Sequence, residues 1–162
     1  MRIDSRRTLL AALGLAAAGA WAQTAPVTAV GAWARASMQG QTASAAYMTL
    51  TATEPLSLVG VSSPVARVAD VHEMKLEGEV MRMRALPALE LPANRPVQLK
   101  PGGYHLMLQE LKAPLQPDTT IPVTLTFRTA RGEQRQLALQ VPVSATPPRE
   151  PAAAGSQGGH KH

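Results

Sequence analysis

The stretch "GGYHLML", residues 102–108, reads as a turn running into a β-strand, and it carries one of only four histidines in the chain. Side chains alternate faces along a strand, so Tyr104, Leu106 and Leu108 are expected on one face and His105, Met107 and Gln109 on the other. An imidazole and a thioether therefore share one surface. The preceding "KPGG" places Pro101 and Gly102 where a type II turn takes them, which would fix the register of the strand that follows.

Working outward, short alternating or apolar runs are broken by Pro and Gly, with no helical period longer than two turns. Strands are expected at Val27–Arg35, Ser44–Thr53, Ser57–Val61, Arg67–Leu76, Val80–Leu86, Val97–Lys100, Tyr104–Leu111, Ile121–Thr129 and Gln134–Val143. Turn signals lie between them at "LEGEV" around Gly78, "LPANRP", "KPGGY", "QPDTT" and "ARGEQ". Many strands at close spacing with such punctuation predict an all-β antiparallel sandwich or barrel. From about Thr146 the text becomes "TPPREPAAAGSQGGHKH", which has no apolar period, and residues 147–162 are expected to form a flexible tail.

The N-terminus, "MRIDSRRTLLAALGLAAAGAWAQ", has a basic segment, an apolar run from Leu9 to Ala20, and an A-x-A site at Ala20–Ala22. This is the pattern of an export signal over residues 1–22, with a mature chain starting at Gln23. Arg6 and Arg7 resemble the paired arginines of a twin-arginine signal, although a basic n-region of the general secretory route has the same look. The expected destination is the periplasm; the apolar run is too short for a permanent span, and no second apolar run follows, so no membrane insertion is expected after cleavage. The chain has no cysteine, so it can form no disulfide and offers no thiol ligand.

The formal charge is +5, and loss of residues 1–22 removes three arginines and one aspartate, leaving +3. With five aromatic residues in the whole chain, neither the charge nor the stacking surface of a nucleic-acid binder is present. Enzyme signatures are missing as well. Ser62 and Ser63 do not sit in a nucleophile elbow, and "HEMKL" lacks the second histidine of a zinc protease helix.

"VHEMKL" puts His72 and Met74 on one strand face, with Glu73 on the other, and "VMRMRA" puts Met81 and Met83 opposite Arg82 and Arg84. A turn at Gly78 would fold these segments against each other. Imidazole suits copper, and thioethers are accepted by soft Cu(I) but are poor ligands for zinc or hard cations. Blue-copper electron transfer requires a cysteine, which this chain lacks. Methionine is also a common filler of irregular cores, and a lone histidine is often a packed, hydrogen-bonded group, so each residue taken singly has a structural reading.

The joint spacing is more specific. His72, ten residues, Met83, twenty-one residues, then His105-x-Met107 resembles the H-x10-M-x21-H-x-M motif of the periplasmic copper chaperone family PCu(A)C. "AYMTLTA", "LVGVSSPVA", "MRMRALPALELPA" and "LKPGGYHLMLQELKAPL" resemble that family too, so the likeness runs from Val27 to Val143. It implies a monomeric cupredoxin-like β-sandwich with Greek-key connections over residues 23–146, holding Cu(I) through His72, Met83, His105 and Met107. It also implies delivery of copper to the CuA domain of cytochrome c oxidase, in some cases alongside an Sco-type thiol protein. Where some members carry Met directly after the first His, this chain has Glu73, which leaves Met74 and Met81 as alternative donors. Some members carry metal-binding tails, which raises Cu(II) binding at His160 and His162 against the plainer reading of a polar tail. Copper storage or resistance through the same site, and a metal-free β-sandwich binding module, are the competing functions.

Overall fold

The structure, a computed structural model, describes residues 23–149. The expected export signal, and His160 and His162, lie outside the described residues. The elements are β1 (Gln23–Thr24), β2 (Val27–Arg35), β3 (Ala43–Ala52), β4 (Leu56–Ser62), β5 (Ala66–Glu77), β6 (Val80–Leu86), β7 (Leu89–Leu91), β8 (Val97–Leu99), β9 (Tyr104–Leu111), β10 (Thr120–Thr129) and β11 (Gln134–Ser144). The described residues are thus all-β, and β2, β6 and β9 have the bounds expected from the sequence.

The strands follow one hydrogen-bonded path, β6-β5-β9-β8-β3-β2-β11-β10-β4-β7, which folds into two sheets. One sheet holds β2, β3, β8, β9, β5 and β6, and the other holds β1, β11, β10, β4 and β7. The end of β11 joins them, pairing Val143 and Ser144 with Ala34 and Arg35 of β2. Apolar side chains of both sheets meet in a single core that includes Ala46, Leu50, Val71, Leu106 and Leu108 on one side and Leu58, Val123, Leu125, Phe127 and Val141 on the other. This is the expected cupredoxin-like sandwich. It is mixed rather than purely antiparallel, because β1 with β11, β11 with β2, and β8 with β9 run parallel.

Local chemistry fixes the register where it matters. β5 and β6 are joined by Gly78 and Glu79, with Gly78 at φ 64° in the first connecting position, where a two-residue hairpin of the II′ kind takes glycine. The Lys100–Gly103 turn closes with a 3.0 Å hydrogen bond from the Gly103 N–H to the Lys100 carbonyl. Its third residue, Gly102, is at φ 82°, as a type II turn with Pro101 in second place requires. In β2 the pairing shifts between Val30 and Trp33, with Gly31 at φ 65°. This bulge puts Trp33, rather than Ala32, opposite Tyr47 of β3.

Phe127 is fully buried between the sheets. Phe127→Ala is expected to lower the unfolding free energy by about 3–5 kcal/mol through lost burial and the cavity left behind. Urea denaturation of the two proteins measures the difference, and a change of under about 1 kcal/mol would mean that this core is not close-packed.

Candidate metal centre

In β9, Leu106 and Leu108 face the core with no exposure, so His105 and Met107 lie on the outer face of their sheet. In β5 the core-facing residue is Val71, which turns His72 outward. The register then determines the neighbours. His72 stands directly across from His105 of β9 on one side and Ala85 of β6 on the other. Met83 pairs with Met74, and Met107 with Asp70, so each of these two thioethers is diagonal to His72. Directly opposed Cβ atoms lie about 5 Å apart and diagonal ones about 7–8 Å, within reach of methionine side chains.

All four ligand-type residues singled out from the sequence therefore share one outer face, with His72 at the hub. Small neighbours keep that face open: Ala85 stands beside His72, and Ala45 of β3 stands opposite Met107. The His72 and His105 ring centroids are 5.8 Å apart at 51°, tilted rather than stacked and close enough for both rings to approach one ion.

The two imidazoles are held differently. His105 is 6% exposed, and its Nδ1 lies 3.1 Å from the Gly103 carbonyl oxygen. That geometry has Nδ1–H donating to the carbonyl and leaves the Nε2 lone pair free, the arrangement expected of a metal-binding histidine. Burial pushes the His105 pKa below its ordinary value of 6.5, and His72 adds to the lowering; the Gly103 hydrogen bond and Asp70 oppose it. The neutral, metal-competent ring is favoured.

His72 has no comparable anchor. Its Nδ1 is buried without a hydrogen-bond partner, alone in this among the buried side-chain nitrogen and oxygen atoms of the described residues. Its Nε2 is 3.6 Å from Asp70 Oδ1, beyond hydrogen-bond length. Asp70 itself accepts a 3.3 Å hydrogen bond from Gln109 Nε2. A buried imidazole nitrogen left unsatisfied is costly unless something occupies the space beside it, and a metal ion is one such occupant.

Among the described residues no three His, Cys, Asp or Glu side chains gather as a metal site would need. Thioethers are therefore available to complete a donor set on this face, and they suit a soft ion. Met83 is 50% exposed and Met81 48% exposed, so neither is core filler. The charged residues of the hairpin stay on the opposite face, where Arg84 pairs with Glu73 at 2.8 Å and Arg82 with Glu77 at 3.2 Å.

Three neighbours of the site were not legible in the sequence as site residues. Tyr47 lies 6.5 Å from His105 between ring centroids, and Trp33 lies 4.8 Å from Tyr47, so an aromatic pair backs His105 on the β3 side. Gly31, an isolated glycine inside a strand pattern, was the available signal for the bulge that brings Trp33 there. Asp70 is the third, two residues before His72 on the same face. A groove of about 640 Å³ adjoins the aromatic pair and is also lined by Lys100, Pro101 and Pro147–Arg149. It contains none of the four ligand-type residues.

The family model "Putative lipoprotein LpqE-like" matches residues 27–154. "Putative lipoprotein Lxx21020" of Leifsonia xyli subsp. xyli (strain CTCB07) is 35% identical over 97 residues, which cover 59% of this chain and 58% of that protein. The chain thus spans little more than half the length of this curated relative. Apo-DR1885 from Deinococcus radiodurans matches with TM-score 0.54 and 32% identity, over 89% of this chain and 97% of that one. Its CuI form, CuI-DR1885, matches with TM-score 0.55 and 30% identity, over 79% and 83% of the two chains. A copper-bound PCuAC domain from PmoF2 has TM-score 0.59 at 24% identity, over 76% of this chain and 96% of that one, which is a likeness of fold. With the family model matching most of its length, the chain belongs to the LpqE-like family, and its fold is that of the PCuAC domains.

Proposed function

We propose that the protein is an exported copper carrier that holds one Cu(I) through His72, Met83, His105 and Met107 and delivers it to the CuA domain of a cytochrome c oxidase. The observation that carries this reading is the cross-strand register: His72 opposite His105, with Met83 and Met107 each diagonal to His72 on the same outer face. Two imidazoles and two thioethers, with no thiolate available, match Cu(I) better than zinc or a hard cation. Relatives of this fold solved with copper support the reading, among them CuI-DR1885. The basic, apolar N-terminus ending in an A-x-A site supports export, and residues 23–146 form the proposed copper-binding domain.

Delivery also suits an ion held on the outer face of a sheet. A donor set without chelating thiolates lets an acceptor replace one ligand at a time, and a half-exposed Met83 is the natural first ligand to exchange. Transfer to an isolated CuA domain separates delivery from storage. Copper that stays on the protein in the presence of a stoichiometric apo-CuA acceptor would favour storage.

Replacing Met107 by Leu, or His72 by Gln, is expected to weaken Cu(I) binding by at least about tenfold, since even outer-shell changes at metal sites cost that much. Competition against a chromophoric Cu(I) chelator measures it. Affinities equal to wild type in both variants would remove these residues from the ligand set.

The apo-protein is expected to carry a pH signature of His105. Because its folded pKa lies below the ordinary 6.5, the native state favours the neutral ring. This contribution to stability is complete above about pH 6.5 and is lost as pH falls from there through the folded pKa. The melting temperature should therefore drop between pH 7.5 and 5.5, more steeply in wild type than in His105→Gln. Equal slopes would show that His105 is not held neutral.

A further inference from the structure

The outer face of the β5–β6 hairpin continues past the imidazoles as a run of thioethers. His72 and Ala85 form one cross-strand row, Met74 and Met83 the next, and Leu76 and Met81 the one after, ending at the Gly78–Glu79 turn. Met74 and Met83 are directly opposed, and Met81 is diagonal to Met74 and two residues from Met83, so three sulfur-bearing side chains share one patch of strand surface. β6 lies at the end of the sheet path. Met81 and Met83 are about half exposed.

The surroundings favour a soft cation. On its β9 side, the Met74 N–H donates a 3.1 Å hydrogen bond to the carbonyl of Gly103, and the Lys100 Cγ lies 3.7 Å from where a Gly103 Cβ would stand, so the lysine stem borders that side. Alternation sends Lys75, Arg82 and Arg84 to the opposite face, and Arg82 and Arg84 are paired there with Glu77 and Glu73. On β5 and β6 the thioether face thus presents no cationic side chain to repel an ion, and its carboxylate is Asp70, two rows from Met74. Methionines packed as core filler would be buried, whereas Met81 and Met83 are exposed and Met74 is only partly buried, all in file with the imidazoles.

We propose that Met74, Met81 and Met83 form a second, all-thioether Cu(I) position at the hairpin edge. It shares Met83 with the imidazole site and serves as the port through which the ion enters and leaves. This rests on the reading of the protein as a Cu(I) carrier. In loading, Cu(I) bound by Met74, Met81 and Met83 gains His72 and then His105 and Met107 as it releases Met81 and Met74. Copper stays in the +1 state throughout, and no protein bond is made or broken. Unloading runs in reverse, so an acceptor meets the ion at the exposed edge instead of at the buried ring of His105.

The test uses protein with 13C-labelled methionine methyls, titrated anaerobically with Cu(I) and followed by NMR. In a His72→Gln/His105→Gln variant, the methyls of Met74, Met81 and Met83 are expected to shift together on binding at least about a hundredfold weaker than wild type. Adding Met74→Leu and Met81→Leu, which conserve volume, should abolish the shift of the remaining Met83 methyl. His72→Gln alone, which leaves the packing of His105 intact, should show the same three methyls responding and guards against misfolding of the double variant. If Met74 and Met81 stay silent in both variants while wild type takes up one Cu(I), the port is overturned and the imidazole site stands. If wild type takes up no Cu(I), the carrier reading falls, and the port with it.

Discussion

The pairing of β5 with β9 is the constraint on which the rest of the molecule depends. It sets His72 directly opposite His105. A slip of one residue would send every side chain of β5 to the other face and exchange the imidazole for Val71, which lies in the core at 3% exposure. The hydrophobic effect acting on Val71, Leu106 and Leu108 therefore aligns the outer face as strictly as it packs the inner one. The polar site needs no separate ordering device, because its geometry is the reverse side of the core's.

That outer face combines fixed and loose elements. His105 is buried, tethered by Gly103 and backed by Tyr47 and Trp33, so it is the rigid member. The His72 side chain is 12% exposed with an unpaired Nδ1, and Met83 stands half in solvent on a strand at the end of the sheet path. The gradient from buried imidazole to exposed thioether runs toward the hairpin tip. In the proposed role the protein must bind its ion and also surrender it, and a graded face suits both within one sheet.

Much of this was legible in the sequence because it follows from alternation and turn chemistry. "GGYHLML" and "VMRMRA" have a clean period of two, and β9 and β6 begin and end where that period does. Gly78 and the "KPGG" turn mark their own positions by the positive φ they must adopt. β7 was hidden because Leu89–Leu91 is only three residues long and closely flanked by Pro87 and Pro92. The parallel pairings of β1 with β11 and of β11 with β2 were hidden because they join strands distant in sequence, which no local pattern encodes. The file of Met74, Met81 and Met83 needed the β5–β6 register, and the aromatic wall needed the Gly31 bulge. Asp70 could be assigned to the face of His72 by counting, but its approach to His72 and Gln109 depends on β5 meeting β9.

The central claim is that one soft ion bridges imidazole and thioether donors from separate strands. Copper K-edge X-ray absorption of the protein loaded with one equivalent of Cu(I) tests it most directly. A first shell containing both nitrogen and sulfur scatterers is the predicted result. A shell of nitrogen and oxygen alone would contradict it, since no thioether from β6 or β9 would then be bound.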